Sequence, residues 1–273
     1  VTMTAAVEPV EVRVAVMGSI LPPGWGTSAE TLRIGGAKSG YRRSFADTVK
    51  PMENFWPPFA VTIRACDDTG RGVDLRVMRD EDIAQVAQVC AEDIYGDDIP
   101  EHAFPWLFDE KTNTPAAMAQ HRWEHRAKLC PQKWTLDFIA RQVETQELVG
   151  VVDLAAENFA AAREIETASW VLHRFQGQGY GTLIRQAMAA FSFLHLDAGS
   201  LCTSWIKTNR ASARVSEKLG YRVSTEEKEE PAGPGKINRP VVSARLSAAD
   251  YHRPEGVQVD VTGVGDPLLH MLS

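Results

Sequence analysis

The sequence predicts an α+β fold: a mixed, mostly antiparallel central sheet flanked by helices. Three observations predict it. Runs that alternate apolar and polar residues, such as Phe59–Arg64 and Val73–Met78, are joined by tight polar turns, the pattern of paired strands. Past mid-chain, a strand-like run from Ile165 to Leu172 passes through a glycine-rich turn into a helix-like run from Tyr180 to Leu196. Helix and strand patterns then alternate as far as residue 246.

The first 55 residues stand apart as an N-terminal extension. Val10–Ile20 has a strand-like pattern, but the polar, glycine-bearing stretch that follows has too little apolar surface for a core of its own, so partial disorder is expected. The chain begins with Val, and Met52 heads a more natural start. Residues 1–51 are therefore either upstream sequence or an arm of the protein. The main domain is expected over residues 56–250, and residues 251–273 read as a polar, glycine-bearing tail without an assigned function.

Within the domain, the turn Asp67–Gly70 joins the first two strands. Asp80 starts a helix in which the acidic run 80–82 suits the positive end of the dipole. Residues 95–114 are irregular, and Phe104, Trp106 and Phe108 either wall a ligand pocket or form a satellite cluster. Pro115 suits the first turn of a helix that runs to about Leu129. Strands at 135–142 and 148–154 form a hairpin, and a polar link at 156–163 leads to the strand before the glycine turn. The order is then helix, strand 200–206, helix 211–219, strand 221–225, a solvated loop at 226–235 and a last strand at 240–246.

Composition bounds the function. Of the 273 residues, 44% are hydrophobic and 24% charged, which is the profile of a globular protein. A net charge of −7 argues against a general nucleic-acid binder. Four scattered cysteines form no C-x-x-C pair, so neither a metal site nor a disulfide framework is expected. No apolar run reaches the ~18 residues of a membrane span, and the N-terminus lacks the form of a signal peptide, so a cytoplasmic location is expected. Self-association is left open.

The segment Gln176-Gly177-Gln178-Gly179-Tyr180-Gly181-Thr182 carries the functional signal. Glycines at alternate positions strip side chains from the turn, and the helix that follows offers unpaired N–H groups and a positive dipole end, a site for phosphate. The glycines alone fit a plain strand-to-helix turn equally well. The spacing is neither that of a P-loop nor the G-x-G-x-x-G of a dinucleotide fold. It resembles the acyl-CoA signature of the GNAT N-acetyltransferase superfamily: Gln or Arg, two residues, Gly, one residue, Gly or Ala. Asn209-Arg-Ala-Ser212, Val215 and Gly220-Tyr221 resemble the family's second block. The resemblance spans about residues 59–249 and is nearest to the branch of ribosomal-protein N-terminal acetyltransferases.

The resemblance implies acetyl-CoA, or a longer donor such as succinyl-CoA, as co-substrate, and an amine acceptor: a protein N-terminus, a lysine or a small molecule. A lysine-like ammonium, with a pKa near ~10.4, must lose a proton before it attacks a thioester, and the oxyanion and leaving thiolate need stabilising. In alternating geometry Glu166 shares a face with Ala168, Trp170 and Leu172, where burial would raise its pKa. It is the candidate base, with Glu164 next and a water chain as the alternative. The family's oxyanion donor, a backbone N–H of this strand, falls at Val171 or Leu172. Ser212 is the candidate acid for the thiolate, and Asn209 and Ser212 also suit a helix cap. Tyr221 is a weaker candidate that suits a core aromatic. His173 and Arg174 flank the turn and either neutralise phosphate or face solvent. Cys202 lacks an activating neighbour and suits a buried strand thiol better than a nucleophile.

Two other functions compete: a non-catalytic acyl-CoA-binding regulatory module, which would release no free thiol from an acyl-CoA, and a nicotinamide enzyme, which needs the absent spacing. Acetyl-CoA or succinyl-CoA should raise the melting temperature by mass action, and NADH should not. Stabilisation by NADH alone in a thermal-shift assay contradicts the acyl-CoA reading.

Overall fold

The computed structural model describes residues 50–226 and 228–273. The strand expected at Val10–Ile20 and the disorder expected in that extension lie outside the described residues. Ten strands form one sheet: β1 (Thr62–Cys66), β2 (Gly72–Val77), β3 (Lys133–Gln142), β4 (Leu148–Glu157), β5 (Glu164–Val171), β6 (Ser200–Ile206), β7 (Arg222–Val223), β8 (Lys228–Ala232), β9 (Ile237–Ser247) and β10 (Gln258–Thr262). The helices are α1 (Asp80–Val86), α2 (Ala91–Tyr95), α3 (Pro115–Lys128), α4 (Phe159–Ala162), α5 (Tyr180–Leu194), α6 (Arg210–Leu219) and α7 (Asp266–Leu272).

The strand order is β10-β1-β2-β3-β4-β5-β6-β9-β7, and β8 also pairs with β9. Every pairing is antiparallel except β5–β6, so the sheet is mixed and mostly antiparallel as the sequence predicts. Residues directly opposite in a ladder share a face. Phe138, Val152 and Ser169 are opposed in turn across β3, β4 and β5. Phe138 stacks edge-on against Phe191 of α5, which places α5 on that face. Asp137, Asp153 and Ala168 are opposed on the other face, where α3 lies and its Arg122 and His125 meet Asp137.

Helix α5 is buried along most of its length, from Leu183 to Phe193, which explains why its sequence is apolar nearly all round. Helix α3 is capped by Thr114 Oγ1, which accepts from the Ala117 N–H at 3.1 Å, and Pro115 fills the first helical position.

Two segments differ from the sequence-based expectation. The solvated loop at 226–235 is largely the strand β8, hairpinned to β9. Four of its five residues are exposed, so it lacks the apolar alternation of a half-buried strand, and Pro231 is tolerated because β8 is an edge. The polar tail carries a further strand and helix. β10 closes the sheet against β1, Leu268 and Leu272 of α7 are buried, and Trp134 Nε1 donates to Leu272 O at 3.0 Å. Here β10 alternates half-buried and exposed positions, and α7 buries only two residues, so neither has a strong apolar period.

Leu268 is 1% exposed, so Leu268→Ala should lower stability by about 2–5 kcal/mol in urea unfolding. Val223 is 61% exposed, and Val223→Ala should stay within about 0.5 kcal/mol.

Candidate active site

The site starts where β5 and β6 part. Their parallel ladder holds for three residue pairs, from Glu164 with Ser200 to Glu166 with Cys202. Side chains then replace the ladder. Thr167 Oγ1 donates to Cys202 O at 3.2 Å, and Thr203 Oγ1 donates to Thr167 O at 3.1 Å. Buried Arg185 of α5 reaches Thr203 Oγ1 at 3.4 Å and the Tyr221 hydroxyl at 3.0 Å. Beyond this point β5 runs on to Val171 and β6 to Ile206 without pairing to each other.

The direction of the free β5 amides follows from the β4 ladder. Leu172 N–H donates to Val149 O at 2.9 Å. In an antiparallel pair, successive residues point their N–H and C=O groups to opposite sides. The N–H groups of Ser169 and Val171 therefore point away from β4, into the gap beside β6. The carbonyls agree, since Thr167 O faces Thr203 and Val171 O accepts from Gln176 Nε2 at 2.8 Å. Of the two oxyanion donors expected from sequence, Val171 is free to serve. Leu172 is not, because its N–H is spent on the sheet. Ser169 was missed, and strand alternation was the signal that could have found it.

The glycine turn closes the mouth of this gap. Gly177 and Gly179 have φ of +71° and +92°, a region that side chains disfavour. Gly179 is the N-cap of α5, so the N–H groups from Gly179 through Thr182 have no acceptor within the helix. An added Cβ at Gly181 would lie 3.8 Å from both Val171 Cγ2 and Val215 Cγ2, ordinary contact, so the backbone here is pressed between β5 and α6. That contact brings the two sequence blocks together in space. Asn209 caps α6, its Oδ1 accepting from Ser212 N–H at 3.0 Å, and Ser212 is half-buried one turn before Val215.

The side chains of several candidates are engaged by the scaffold. Gln176 Nε2 donates to both Ile94 O and Val171 O, tying α2 to the end of β5, and Gln178 Nε2 donates to Arg174 O. The Tyr180 ring is buried edge-on to Phe175, which leaves its backbone N–H to face the turn. Tyr221 is a core aromatic whose hydroxyl is held by Arg185. His173 and Arg174 are exposed; the His173 ring lies against Gly96 and Arg174 crosses the Phe175 ring. Burial, with the Glu164 charge adding to it, pushes the Cys202 thiol up to about 11, so it is no thiolate nucleophile at neutral pH.

Glu166 requires a correction. It keeps the predicted face with Ala168 and Trp170 but is exposed, opposed by the half-buried Ala155 and Cys202. The apolar enclosure expected for it is absent because only the Trp170 end of that face is buried. A second omission is Arg71, in the β1–β2 turn. It pairs with Asp67, crosses the Tyr180 ring at 5.8 Å and stands against Gly179, where an added Cβ would overlap its guanidinium. No local pattern joins residues so far apart in sequence.

Phe104, Trp106 and Phe108 are partly buried and pack against the hydrophobic core. Phe104 stacks on Trp106, and the Phe104 N–H donates to the Tyr95 hydroxyl at 3.0 Å. Gly233 N–H of the β8–β9 hairpin donates to Ala103 O at 2.8 Å.

The sheet thus parts beside an open helix N-terminus. Residues 73–222, more than half of the chain, match the family model described as an acetyltransferase (GNAT) domain. The chain belongs to the GNAT acetyltransferase family and is an N-acyltransferase that takes its acyl group from CoA. RimJ of Mycobacterium smegmatis, solved with CoA-disulfide, shares its fold at a TM-score of 0.60 and 16% identity, over 71% of this chain and 90% of that one. Spermidine N-acetyltransferase of Vibrio cholerae, solved with CoA and spermine, aligns at a TM-score of 0.52 and 14% identity, over 66% and 97%. A ribosomal-protein alanine acetyltransferase of Vibrio fischeri also aligns at 0.52 and 14%, over 66% and 95%. Among the described residues, no helix is long and apolar enough to cross a membrane.

Gly179→Val should weaken acetyl-CoA binding at least ~10-fold by calorimetry while far-UV circular dichroism stays unchanged, since a side chain there meets both a disfavoured φ and Arg71. Unchanged affinity would place the phosphates elsewhere.

Proposed function

We propose that the protein moves an acetyl group from CoA to a primary amine by direct attack, within an acyltransferase domain over residues 56–250 to which β10 and α7 are an addition. The observation that carries this reading is the β5–β6 gap with free Ser169 and Val171 amides and the glycine turn at its mouth. The pantetheine and thioester lie in the gap, the pyrophosphate rests on the N–H groups from Gly177 to Thr182, and Arg71 adds charge from the hairpin. The thioester carbonyl accepts from the Ser169 or Val171 amide, which stabilises the oxyanion. Ser212, at the start of α6, supplies the proton for the departing thiolate.

The acceptor enters on the face of Glu166 and Trp170. Glu166, open to solvent, takes a proton from the incoming ammonium directly or through one water. A free protein N-terminus such as an alanyl one, suggested by the ribosomal-protein alanine acetyltransferase, and a polyamine, suggested by the spermidine enzyme, are the acceptor classes to try first. Succinyl-CoA is the longer donor to test beside acetyl-CoA, with the protein acting in the cytoplasm.

Release of free CoA thiol on adding an alanyl peptide or spermidine tests the reading, and a protein that binds acetyl-CoA without release under any amine is a binding module instead. With an amine that works, Glu166→Gln should lower turnover about 10²-fold at pH 6 with donor binding intact. The loss should shrink as pH rises, because more amine is already neutral. Wild-type turnover from pH 6 to 9 in this variant would move the base elsewhere, with Glu164 next in line.

A further inference from the structure

On the acceptor face, two carboxylates oppose each other on the central strands: Asp137 of β3 and Asp153 of β4. Like charges placed directly opposite are destabilising, so such a pair requires compensation. Helix α3 brings it. Arg122, with only 7% of its side chain exposed, bonds Asp137 through Nη1 and reaches both Asp153 oxygens at 3.4 Å. Its Nε is buried without a partner. His125 Nδ1 lies 3.0 Å from both Asp137 oxygens, and the exposed His121 packs against His125 with ring centroids 4.2 Å apart. Asp137 is 6% exposed at its side chain, whereas Asp153 keeps 27% open. The row therefore runs from a part-buried carboxyl through a fully buried one to the half-buried His125 and the exposed His121.

Asp153 is also nearer the reaction than Glu166. It is opposed to Ala168, the neighbour of Ser169. Ladder geometry puts its Cα ~6–7 Å from that of Ser169, against ~10 Å along the strand for Glu166. The acylation of an ammonium sheds two protons from nitrogen, one before attack and one as the C–N bond forms, and only one of them is taken up by the thiolate.

We infer that Asp153 is a second catalytic carboxylate, which takes the proton from the attacking nitrogen as the C–N bond forms and yields it to solvent through its open side, while Asp137, Arg122 and His125 position it. The inference rests on the proposed amine acylation. Glu166 accepts the first proton from the ammonium. The neutral nitrogen adds to the thioester carbonyl, and its second proton passes to the Asp153 carboxylate. The adduct collapses to amide as the C–S bond breaks, and the thiolate leaves as thiol with a proton from Ser212, which is reprotonated from solvent. One proton is released overall.

The groups facing Asp153 are Asp137 from β3, Arg122 and His125 from α3, and Glu166 two positions along β5 from Ala168. Burial raises the Asp153 carboxyl well above the usual carboxylate range; Arg122 opposes the rise and the Asp137 charge adds to it. Burial also works against the Asp137 charge, but the bond to His125 and the Arg122 charge hold its carboxyl low. Asp153 must be ionised to act, so the wild-type rate should climb as pH rises through its raised pKa. Asp153→Asn should lose that limb, and the wild-type-to-variant ratio should grow with pH to about 10²-fold and then level off. This is opposite to Glu166→Gln, whose ratio falls with pH.

The test is the pH profile of thiol release from acetyl-CoA by the full chain, wild type and Asp153→Asn, using whichever of spermidine or an alanyl peptide wild type acylates faster. His125→Gln leaves both carboxylates and stands in if Asp153→Asn does not fold. It should lower turnover about 3–10-fold and shift the rising limb of the pH profile, because Asp137 loses a partner that holds its charge beside Asp153. A folded Asp153→Asn with the wild-type profile, or with a ratio that falls as pH rises, overturns the inference while the amine acylation stands. So does a folded His125→Gln with the wild-type pH profile. Wild type that releases no thiol with either amine overturns both.

Discussion

The parting of β5 from β6 is the constraint on which the rest of the site depends. Unpaired strand amides inside a protein are costly, and a sheet left to itself would zip further. Here the last ladder positions are taken by hydroxyls. Thr167 and Thr203 bond across the two strands, and the buried Arg185 holds both Thr203 and Tyr221. The cross-links satisfy the backbone at the branch point, so the strands can diverge there. Tyr221 belongs to the stretch after α6, so the second family block also fastens the gap.

The glycine turn needs that gap in order to matter. Positive φ at Gly177 and Gly179 folds the chain sharply off the end of β5, and α5 begins beside Val171 and Val215. Gln176 locks the turn to α2 and β5 through its side-chain amide. Gln176 and Gln178 act as braces, their side-chain amides spent on backbone carbonyls, and Arg71 stands against the turn.

The face of the sheet under α3 is acidic. Asp137, Asp153, Glu164 and Glu166 lie on it, with Arg122 and Arg245 as counter-charges. Burying opposed carboxylates beside an arginine adds little to stability compared with apolar packing. Such an arrangement, next to an open gap, makes better sense as a proton-handling surface than as a device for holding α3 to the sheet.

The sequence by itself determined the strand–turn–helix at the centre, the second block at Asn209–Ser212, the fold class and the family. These are local signals: apolar period, glycine spacing and helix caps are properties of neighbours along the chain. It also placed Glu166 and Trp170 on one face, because strand alternation is strict. Only the tertiary structure decided how exposed Glu166 is, that Leu172 spends its amide on Val149, that Arg71 stands at the glycine turn, and that Asp137 and Asp153 meet under α3. Burial, amide direction and opposed charges depend on which strands become neighbours, and ladder register is a long-range property that no window of sequence contains. The β8 edge and the final strand and helix escaped for a related reason: their apolar period is weak, and their place in the sheet comes from the strands already there.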